Sequence, residues 1–289
     1  MDFRRAFDSV NHLLLFHKIS TQFGIVGNMY FSLLSLYKNP MTRVILTSPE
    51  TVHKTDYFKC PQGVKQGDIV SPTLFSMFVH DLTTDLENSG HGVKLSLPVT
   101  APGATPPVSP DLTVNHLIYA DDLVCIAPNE NQLQDLINII NLWCSKFRIE
   151  ANLLKTEIIH VRKPLKPRSK YIFKFGAKVI NYCQQYKYLG LTIDQFLNFE
   201  KMSNSLLAPS NRALSAIMCK MIKNKGFPHD IYEMLYNACV TSIKDYAHEA
   251  IGFHEYSGSS SLHNRALRLY LGVGNSANLC GICSELAWP

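Results

Sequence analysis

The chain has 289 residues, 46% of them hydrophobic and 10% aromatic, a composition that buries a sizeable core in one large domain or two modest ones and excludes a disordered chain. Lys and Arg (28) exceed Asp and Glu (23), so the net charge of +5 is compatible with a polyanionic partner without requiring one. No run of about 18 apolar residues is present, and no basic segment followed by an apolar stretch and cleavage site opens the chain, so a soluble intracellular protein is expected.

The sequence begins Asp2-Phe3-Arg4-Arg5-Ala6-Phe7-Asp8-Ser9-Val10. Over residues 11–23 the apolar Leu14, Leu15, Ile19 and Phe23 keep helical spacing, with Gly24 as a stop, and a second helix is predicted over about residues 28–37, ended by Asn39-Pro40. Residues 43–46 and 52–58 alternate like paired strands across Ser48-Pro49-Glu50. In Gln62-Gly63-Val64-Lys65-Gln66-Gly67-Asp68, glycine lets the backbone approach a ligand closely. Ser71 followed by Pro72 predicts a helix start, with Ser as the cap and Pro at the first helical position. Leu74, Phe75, Phe78, Val79, Leu82 and Leu86 then form one apolar face that must pack on a sheet.

From residue 91 to 114 the prolines Pro98, Pro102, Pro106, Pro107 and Pro110 stand among Gly, Ser and Thr, which predicts a long surface loop. His116-Leu117-Ile118 and Leu123-Val124-Cys125-Ile126-Ala127 flank Tyr119-Ala120-Asp121-Asp122, so two adjacent acids sit at the apex of a predicted hairpin. Two unit charges ~4 Å apart repel by roughly 4 kcal/mol at an effective dielectric near 20, and a divalent cation held by the carboxylates offsets that repulsion. The alternative is an ordinary polar turn, because Asp favours turns for its own backbone reasons.

Asn129 and Gln132 read as a capping box for a helix whose apolar face is Leu133, Leu136, Ile137, Ile140 and Phe147, and a strand is predicted over residues 157–161. The order strand, helix, strand-hairpin, helix, strand is the ferredoxin-like split arrangement. Beyond Asp194 the pattern is helical, with Leu206, Leu207, Leu214, Ile217, Met218 and Met221 before Gly226, and Ile231, Leu235, Ala238 and Ile243 after it. Lys220, Lys223 and Lys225 near the end of the first of these helices suit the helix dipole as well as they suit a phosphate backbone. The eight cysteines, among them Cys125, Cys144, Cys219 and Cys239 in core-like segments, read as buried free thiols of a reducing compartment. Cys280 and Cys283 have only His263 as a further candidate ligand, short of the four that a zinc site needs, so no zinc site is assigned.

Five segments in order resemble the successive palm motifs of a reverse transcriptase of the non-LTR, LINE-like retrotransposon group. They are the opening stretch from Asp2 to Val10, Gln66-Gly67-Asp68-Ile69-Val70-Ser71-Pro72-Thr73-Leu74-Phe75, the Tyr119 hairpin, Asn152-Leu153-Leu154-Lys155-Thr156 and Tyr188-Leu189-Gly190. The resemblance runs over essentially the whole chain and is strongest in its first two-thirds. It implies an α+β fold: a right-hand palm with partial fingers over residues 1–198, built as a ferredoxin-like sheet with helices on one face, then a helical thumb-like region over residues 199–289. In that family the fingers precede the first acid motif, so the chain is expected to begin inside the domain, without the N-terminal part of the fingers.

The activity implied by the resemblance is RNA-directed DNA polymerisation, in which deoxynucleoside triphosphates are added to a primer 3′-hydroxyl on an RNA template. Two Mg²⁺ ions about 3.5–4 Å apart serve such a transfer, and Mn²⁺ can replace them. By resemblance Asp2 and Asp121 bind both ions with help from the Phe3 carbonyl, and Asp122 is less essential. Phe7 is implied to lie under the incoming sugar, where a flat side chain clashes with a 2′-hydroxyl; the alternative is a core phenylalanine. Asp8 is expected to act at the start of the following helix. Gln66 and Gly67 are implied to contact nucleotide and template, with Lys65 and Asp68 departing from the commoner residues at their positions. Lys155 is implied as general acid for the leaving pyrophosphate, the alternative being a solvated charge, and Tyr188, Leu189 and Gly190 as the hairpin that holds the primer. A silent relic or nucleic-acid-binding module that keeps the fold is the rival to an enzyme, and an RNA-templated RNA polymerase is disfavoured by Phe7 and by the Ala120-Asp121-Asp122 context. No membrane partner is expected.

Overall fold

A computed structural model describes residues 1–96, 111–252 and 256–286. Two compact units divide the chain: Met1–Ile158 with Lys170–Asn181, and Ile159–Ser169 with the chain from Tyr182 onward. Each is described by itself.

The first unit is built on three helices, α1 (His12–Thr21), α3 (Ser71–Asn88) and α4 (Glu130–Phe147), with α2 (Gly27–Tyr37) against α1. In α4, Leu136, Ile137, Ile140, Trp143, Cys144 and Phe147 recur on one stripe and are buried. They meet Leu74, Phe75, Phe78 and Leu82 of α3 and Leu15, Phe16 and Ile19 of α1 in one core. Each fully buried Leu or Phe contributes about 1.5–3 kcal/mol, so this core carries the unit.

Lys18 departs from the apolar pattern of α1. It is 4% exposed. Its ammonium pairs with Asp81 Oδ1 at 2.6 Å, donates to the Phe78 carbonyl and lies 3.7 Å from the centre of the Phe147 ring. Trp143 Nε1 donates to the same Asp81 oxygen at 2.9 Å. Burial holds the Lys18 ammonium below its ordinary pKa, with Asp81 opposing that shift.

Short antiparallel ladders complete the unit. β1 (Met41–Thr42) pairs with β4 (Phe58–Lys59), and β2 (Ile45–Thr47) with β3 (Val52–Lys54) in the register Leu46↔His53, across the expected turn. The segment expected as a loop is corrected at both its ends, where β5 (Val93–Ser96) pairs with β6 (Asp111–Val114). All five prolines fall between these strands, so none removes an N–H from the ladder; residues 97–110, which hold them, lie outside the described residues. β7 (His116–Tyr119) and β8 (Asp122–Cys125) form the expected hairpin.

Three further expectations are corrected. Ser71 does not cap α3: it lies within the helix, buried, and its hydroxyl has no hydrogen-bond partner, whereas Asp68 Oδ1 accepts from the Val70 N–H at 3.2 Å just upstream. At α4, Asn129 Oδ1 accepts from the Gln132 N–H at 3.0 Å, but Gln132 Oε1 accepts from Gly92 instead of completing the box. After α4, only β9 (Glu157–Ile158) is strand in the region 157–161. The chain reverses earlier, through Arg148 in the left-handed region (φ 57) and buried Ile149, and Ala151 is the residue that bridges to the opening segment. β10 (Lys174–Phe175) and β11 (Lys178–Val179) form a small hairpin, and β12 (Asn181–Tyr182) follows.

The second unit holds the hairpin β13 (Gln185–Tyr188) and β14 (Leu191–Asp194), and helices α5 (Phe199–Lys223), α6 (His229–Tyr236), α7 (Ser242–Lys244), α8 (His248–Ile251), α9 (Ser257–Leu271) and α10 (Leu279–Leu286). Leu214 and Ile217 of α5, Tyr232 and Tyr236 of α6, Leu262 and Leu267 of α9 and Ile282 of α10 make its main core. A smaller cluster fastens Leu191 and Ile193 of the hairpin to Met202, Leu206 and Ile251. All eight cysteines are free, and burial pushes the thiols of Cys125 and Cys144 up to about 12. Cys219 and Cys239 are exposed, contrary to expectation, because they lie off the faces that bury Leu214 and Val240. No described helix is long and apolar enough to cross a membrane.

Candidate active site

The acids are gathered by a narrow strip of sheet in the first unit. Tyr119 pairs with Asp122, which leaves Ala120 and Asp121 as a two-residue connection. Ala120 has φ 53, a left-handed conformation that costs a non-glycine residue roughly 1–2 kcal/mol and marks a turn over-determined by its surroundings. The opening segment lies beside β8: the Leu123 N–H donates to the Met1 carbonyl at 2.9 Å, and Asp2 bridges Asp122 in antiparallel sense. On its other edge Phe3 bridges Ala151, with the Arg4 N–H on the Glu150 carbonyl and the Asn152 N–H on the Asp2 carbonyl, each at 2.8 Å.

Side-chain alternation then explains the chemistry. Phe3 and Leu123 point to the core, where the Phe3 ring meets Trp143 at 5.9 Å, so Asp2 and Asp122 project together from the opposite face. Residues directly opposite in such a pair have Cα atoms roughly 4.5–5.5 Å apart. The Asp122 carboxyl is held above its ordinary pKa, first by burial and then by the charges of Asp121 and Asp2.

Positive charge reaches this face from the segment after α4. Lys155 Nζ lies 3.3 Å from Asp2 Oδ2, and Asn152 Nδ2 donates to the same oxygen at 3.1 Å. Lys155 thus lies beside Asp2 with most of its side chain in solvent. The sequence reading missed Asn152, although it opens the motif that contains Lys155. Hard carboxylate oxygens crowded with surplus negative charge suit a divalent cation. Among the described residues, no group of three or more His, Cys, Asp and Glu side chains is disposed to hold a metal; Asp2 is instead engaged by Asn152 and Lys155.

The glycine-containing loop is docked on the turn that follows Asp2. The Val64 N–H donates to the Phe7 carbonyl and the Gly63 N–H to the Val10 carbonyl, both at 2.8 Å. Gly63 is required there: at φ 91 an added Cβ would lie 2.9 Å from the Asp8 backbone. Gln66 Nε2 donates to Asp8 Oδ1 at 3.1 Å, so Asp8 tethers Gln66, whereas the cap of α1 is Asn11, which accepts from the Leu14 N–H. Gly67, at φ 82, has open space beside it. Phe7 is half-buried and stacks on Phe75 with ring centres 4.6 Å apart and planes inclined by 22°.

Tyr188, Leu189 and Gly190 belong to the second unit. Leu189 (φ 46) and Gly190 (φ 85) form a two-residue connection with both φ values positive, as a tight hairpin matched to strand twist demands. Tyr246 Oη donates to the Leu189 carbonyl at 2.5 Å, and a Cβ at Gly190 would sit 3.4 Å from the Tyr246 ring. Tyr246 carried no motif and was not singled out in the sequence.

Comparison with known proteins matches residues 1–193 to the family described as reverse transcriptase (RNA-dependent DNA polymerase). Similar proteins include the retrovirus-related Pol polyprotein from type-1 retrotransposable element R2 of Popillia japonica, 28% identical over 201 residues that cover 66% of this chain and 30% of that protein. The probable RNA-directed DNA polymerase from transposon BS of Drosophila melanogaster is 25% identical over 285 residues, covering 93% of this chain and 28% of that protein. The RNA-directed DNA polymerase from mobile element jockey of the same fly is 24% identical over 207 residues, covering 70% and 20%. The chain thus spans 20–30% of the length of these relatives. The family match contains all five motif segments, from Asp2 to Gly190, and the chain belongs to the reverse transcriptase family.

Proposed function

We propose that this chain performs RNA-directed DNA synthesis, adding deoxynucleotides to a DNA primer on an RNA template. The observation that carries the reading is the bridge between Asp2 and Asp122, which puts two motif carboxylates on one face with Asp121 beside them. Residues 1–198 would act as the palm with part of the fingers, on a ferredoxin-like plan, and residues 199–289 as a thumb-like region. Family membership favours this over a silent binding module.

By the family reading Asp2, Asp121 and Asp122 would hold the divalent ions, Mg²⁺ or Mn²⁺, although the three side chains are not gathered into a ligand set among the described residues; the ions would lower the pKa of the primer hydroxyl and offset charge on the phosphates. Asn152 and Lys155 orient Asp2 through its Oδ2. Lys155, whose side chain is 70% exposed, would deliver a proton to the leaving pyrophosphate. Phe7, backed by Phe75, would lie under the incoming sugar and exclude a 2′-hydroxyl. Gln66, steadied by Asp8, and the open backbone at Gly67 receive nucleotide and template. Tyr188, Leu189 and Gly190 hold the primer end.

Primer extension on an RNA template, with Mg²⁺ and all four deoxynucleotides, tests the reading. Asp2→Asn and Asp121→Asn should each abolish extension and leave hybrid binding intact or slightly tighter, since a negative charge near the phosphates is removed. Extension that survives both substitutions would sink the assignment. Binding without extension by the unaltered chain would favour the silent module.

A further inference from the structure

The loop Ile159–Ser169 concentrates the charge of the chain. It contains Arg162, Lys163, Lys166 and Arg168 and no acid, whereas the whole chain has 28 Lys and Arg against 23 Asp and Glu. The 24 cations outside the loop nearly balance those 23 acids, so four of the five units of net positive charge lie in this one segment.

The loop is built, with a pinned backbone. Arg162 anchors it: the backbone N–H donates to the Gln195 carbonyl at 3.0 Å, Nη1 to Gln195 Oε1 at 2.8 Å and to the His160 carbonyl at 3.2 Å, and Nε to the Lys166 carbonyl at 3.0 Å. The Lys166 N–H closes a turn on the Lys163 carbonyl at 3.0 Å, with Pro164 where a turn favours a preset φ. Pro167 stiffens the exit, and the Ser169 N–H returns to His160 Nδ1 at 3.0 Å. The Arg168 guanidinium lies 5.0 Å from the centre of the Tyr182 ring.

Lys163, Lys166 and Arg168 are exposed, and Leu165 at the tip is 99% exposed. Among the described residues none of these three cations has a carboxylate within ion-pair distance, in contrast with Arg4 on Glu150 or Lys201 on Asp194. The turn keeps the Cα atoms of Lys163 and Lys166 within about 7 Å, comparable to the separation of successive phosphates on one strand. Exposed cations on one turn with no carboxylate of their own are neutralised by a regular polyanion, which releases its own condensed counterions as it binds.

We infer that this loop is a docking surface for the sugar-phosphate backbone of nucleic acid. The inference rests on the polymerase reading for the identity of the polyanion. It adds a contact outside all five motifs, one that is indifferent to base sequence because only phosphates are addressed.

The test is equilibrium binding of the 289-residue chain to a fluorescent RNA–DNA hybrid from about 50 to about 200 mM salt. In the triple variant Lys163→Gln, Lys166→Gln, Arg168→Gln, the slope of log affinity against log salt should become shallower by about 2.7, at about 0.9 per lost phosphate contact, with affinity at low salt down at least about tenfold. A charge-keeping triple, Lys163→Arg, Lys166→Arg, Arg168→Lys, should retain the original slope. Lys94→Gln, Lys174→Gln, Lys178→Gln changes the net charge equally on the other unit and should leave the slope unchanged; melting temperatures check that all variants fold. An unchanged slope in the first triple, or an equal loss in the control, overturns the loop assignment alone. Loop-dependent binding to phosphatidylserine vesicles with loop-independent binding to the hybrid also overturns it. No hybrid binding by the unaltered chain at low salt overturns the loop assignment and the polymerase reading together.

Discussion

Asp2 Oδ2 is shared by two donors, the Lys155 ammonium at 3.3 Å and the Asn152 side-chain amide at 3.1 Å. The charge a cation would supply to Asp2 is therefore already partly provided by the chain, and a divalent ion must compete with Lys155 for the carboxylate. Lys155→Met should tighten Mg²⁺ binding severalfold by calorimetry and, if Lys155 is the proposed proton donor, slow single-nucleotide addition by about 100-fold. Weaker Mg²⁺ binding in this variant would show that Lys155 supports the ion site instead of competing for it.

The raised pKa of Asp122 has a definite sign in stability. Its folded carboxyl titrates above the ordinary value of 3.8, so its contribution is neutral below that pH and stability is lost as pH rises through the folded value. At pH 7 Asp122→Asn should therefore stabilise the metal-free chain and raise its Tm. The gain should vanish near pH 3 and shrink when Mg²⁺ is added, since an ion that binds only the folded state stabilises the unaltered chain. Thermal melts at several pH values, with and without Mg²⁺, check both trends.

One substitution separates the packing of Phe7 on Phe75 from its proposed contact with the sugar. Loss of its stacking on Phe75 in Phe7→Ala should destabilise the chain by about 2 kcal/mol, less than a fully buried ring because Phe7 is only half-buried. The same variant should raise ribonucleotide incorporation relative to deoxyribonucleotide by at least tenfold, a preference of about 1.4 kcal/mol removed. Destabilisation with unchanged sugar choice would leave Phe7 a packing residue only.

Tyr246 fixes the apex of the β13–β14 hairpin. Tyr246→Phe removes the donor to the Leu189 carbonyl and should cost about 0.5–1.5 kcal/mol. If the apex holds the primer, the KM for primer-template should rise severalfold while the KM for deoxynucleotide stays fixed. Equal changes in both constants would point to a general loss of structure.

Much of this was readable from near neighbours in the chain. The apolar stripes of α3 and α4, the β7–β8 hairpin and the Asn129 cap are set by residues a few positions apart and occur where their spacing predicts, although Asp122, expected at the hairpin apex, lies in β8 opposite Tyr119. What the sequence hid depends on distant partners. Nothing local in Asn152 announces its bond to Asp2, nor in Tyr246 its bond to Leu189. A lysine on a short helix reads as a solvated charge, so the burial of Lys18 was invisible without Asp81 and Trp143. The bridge at Ala151 follows from a left-handed turn at Arg148, a conformation few non-glycine residues advertise. Asp2, Asp122 and Lys155 were singled out because their motifs were recognised, and only the structure shows how they meet.

The shared carboxylate of Asp81 also constrains how such a sequence can drift. Lys18, Asp81 and Trp143 come from three different helices and satisfy one another around a single oxygen. Changing Lys18 alone strands a half-buried acid, and changing Asp81 alone strands a buried ammonium, each a loss of about 3–5 kcal/mol. Replacing both charges with apolar residues of matching volume is often neutral or stabilising, yet the path to it runs through those damaging single steps. Lineages should therefore hold the charged set intact or show it exchanged wholesale, and correlated substitution at positions 18 and 81 becomes a signature to seek among natural variants.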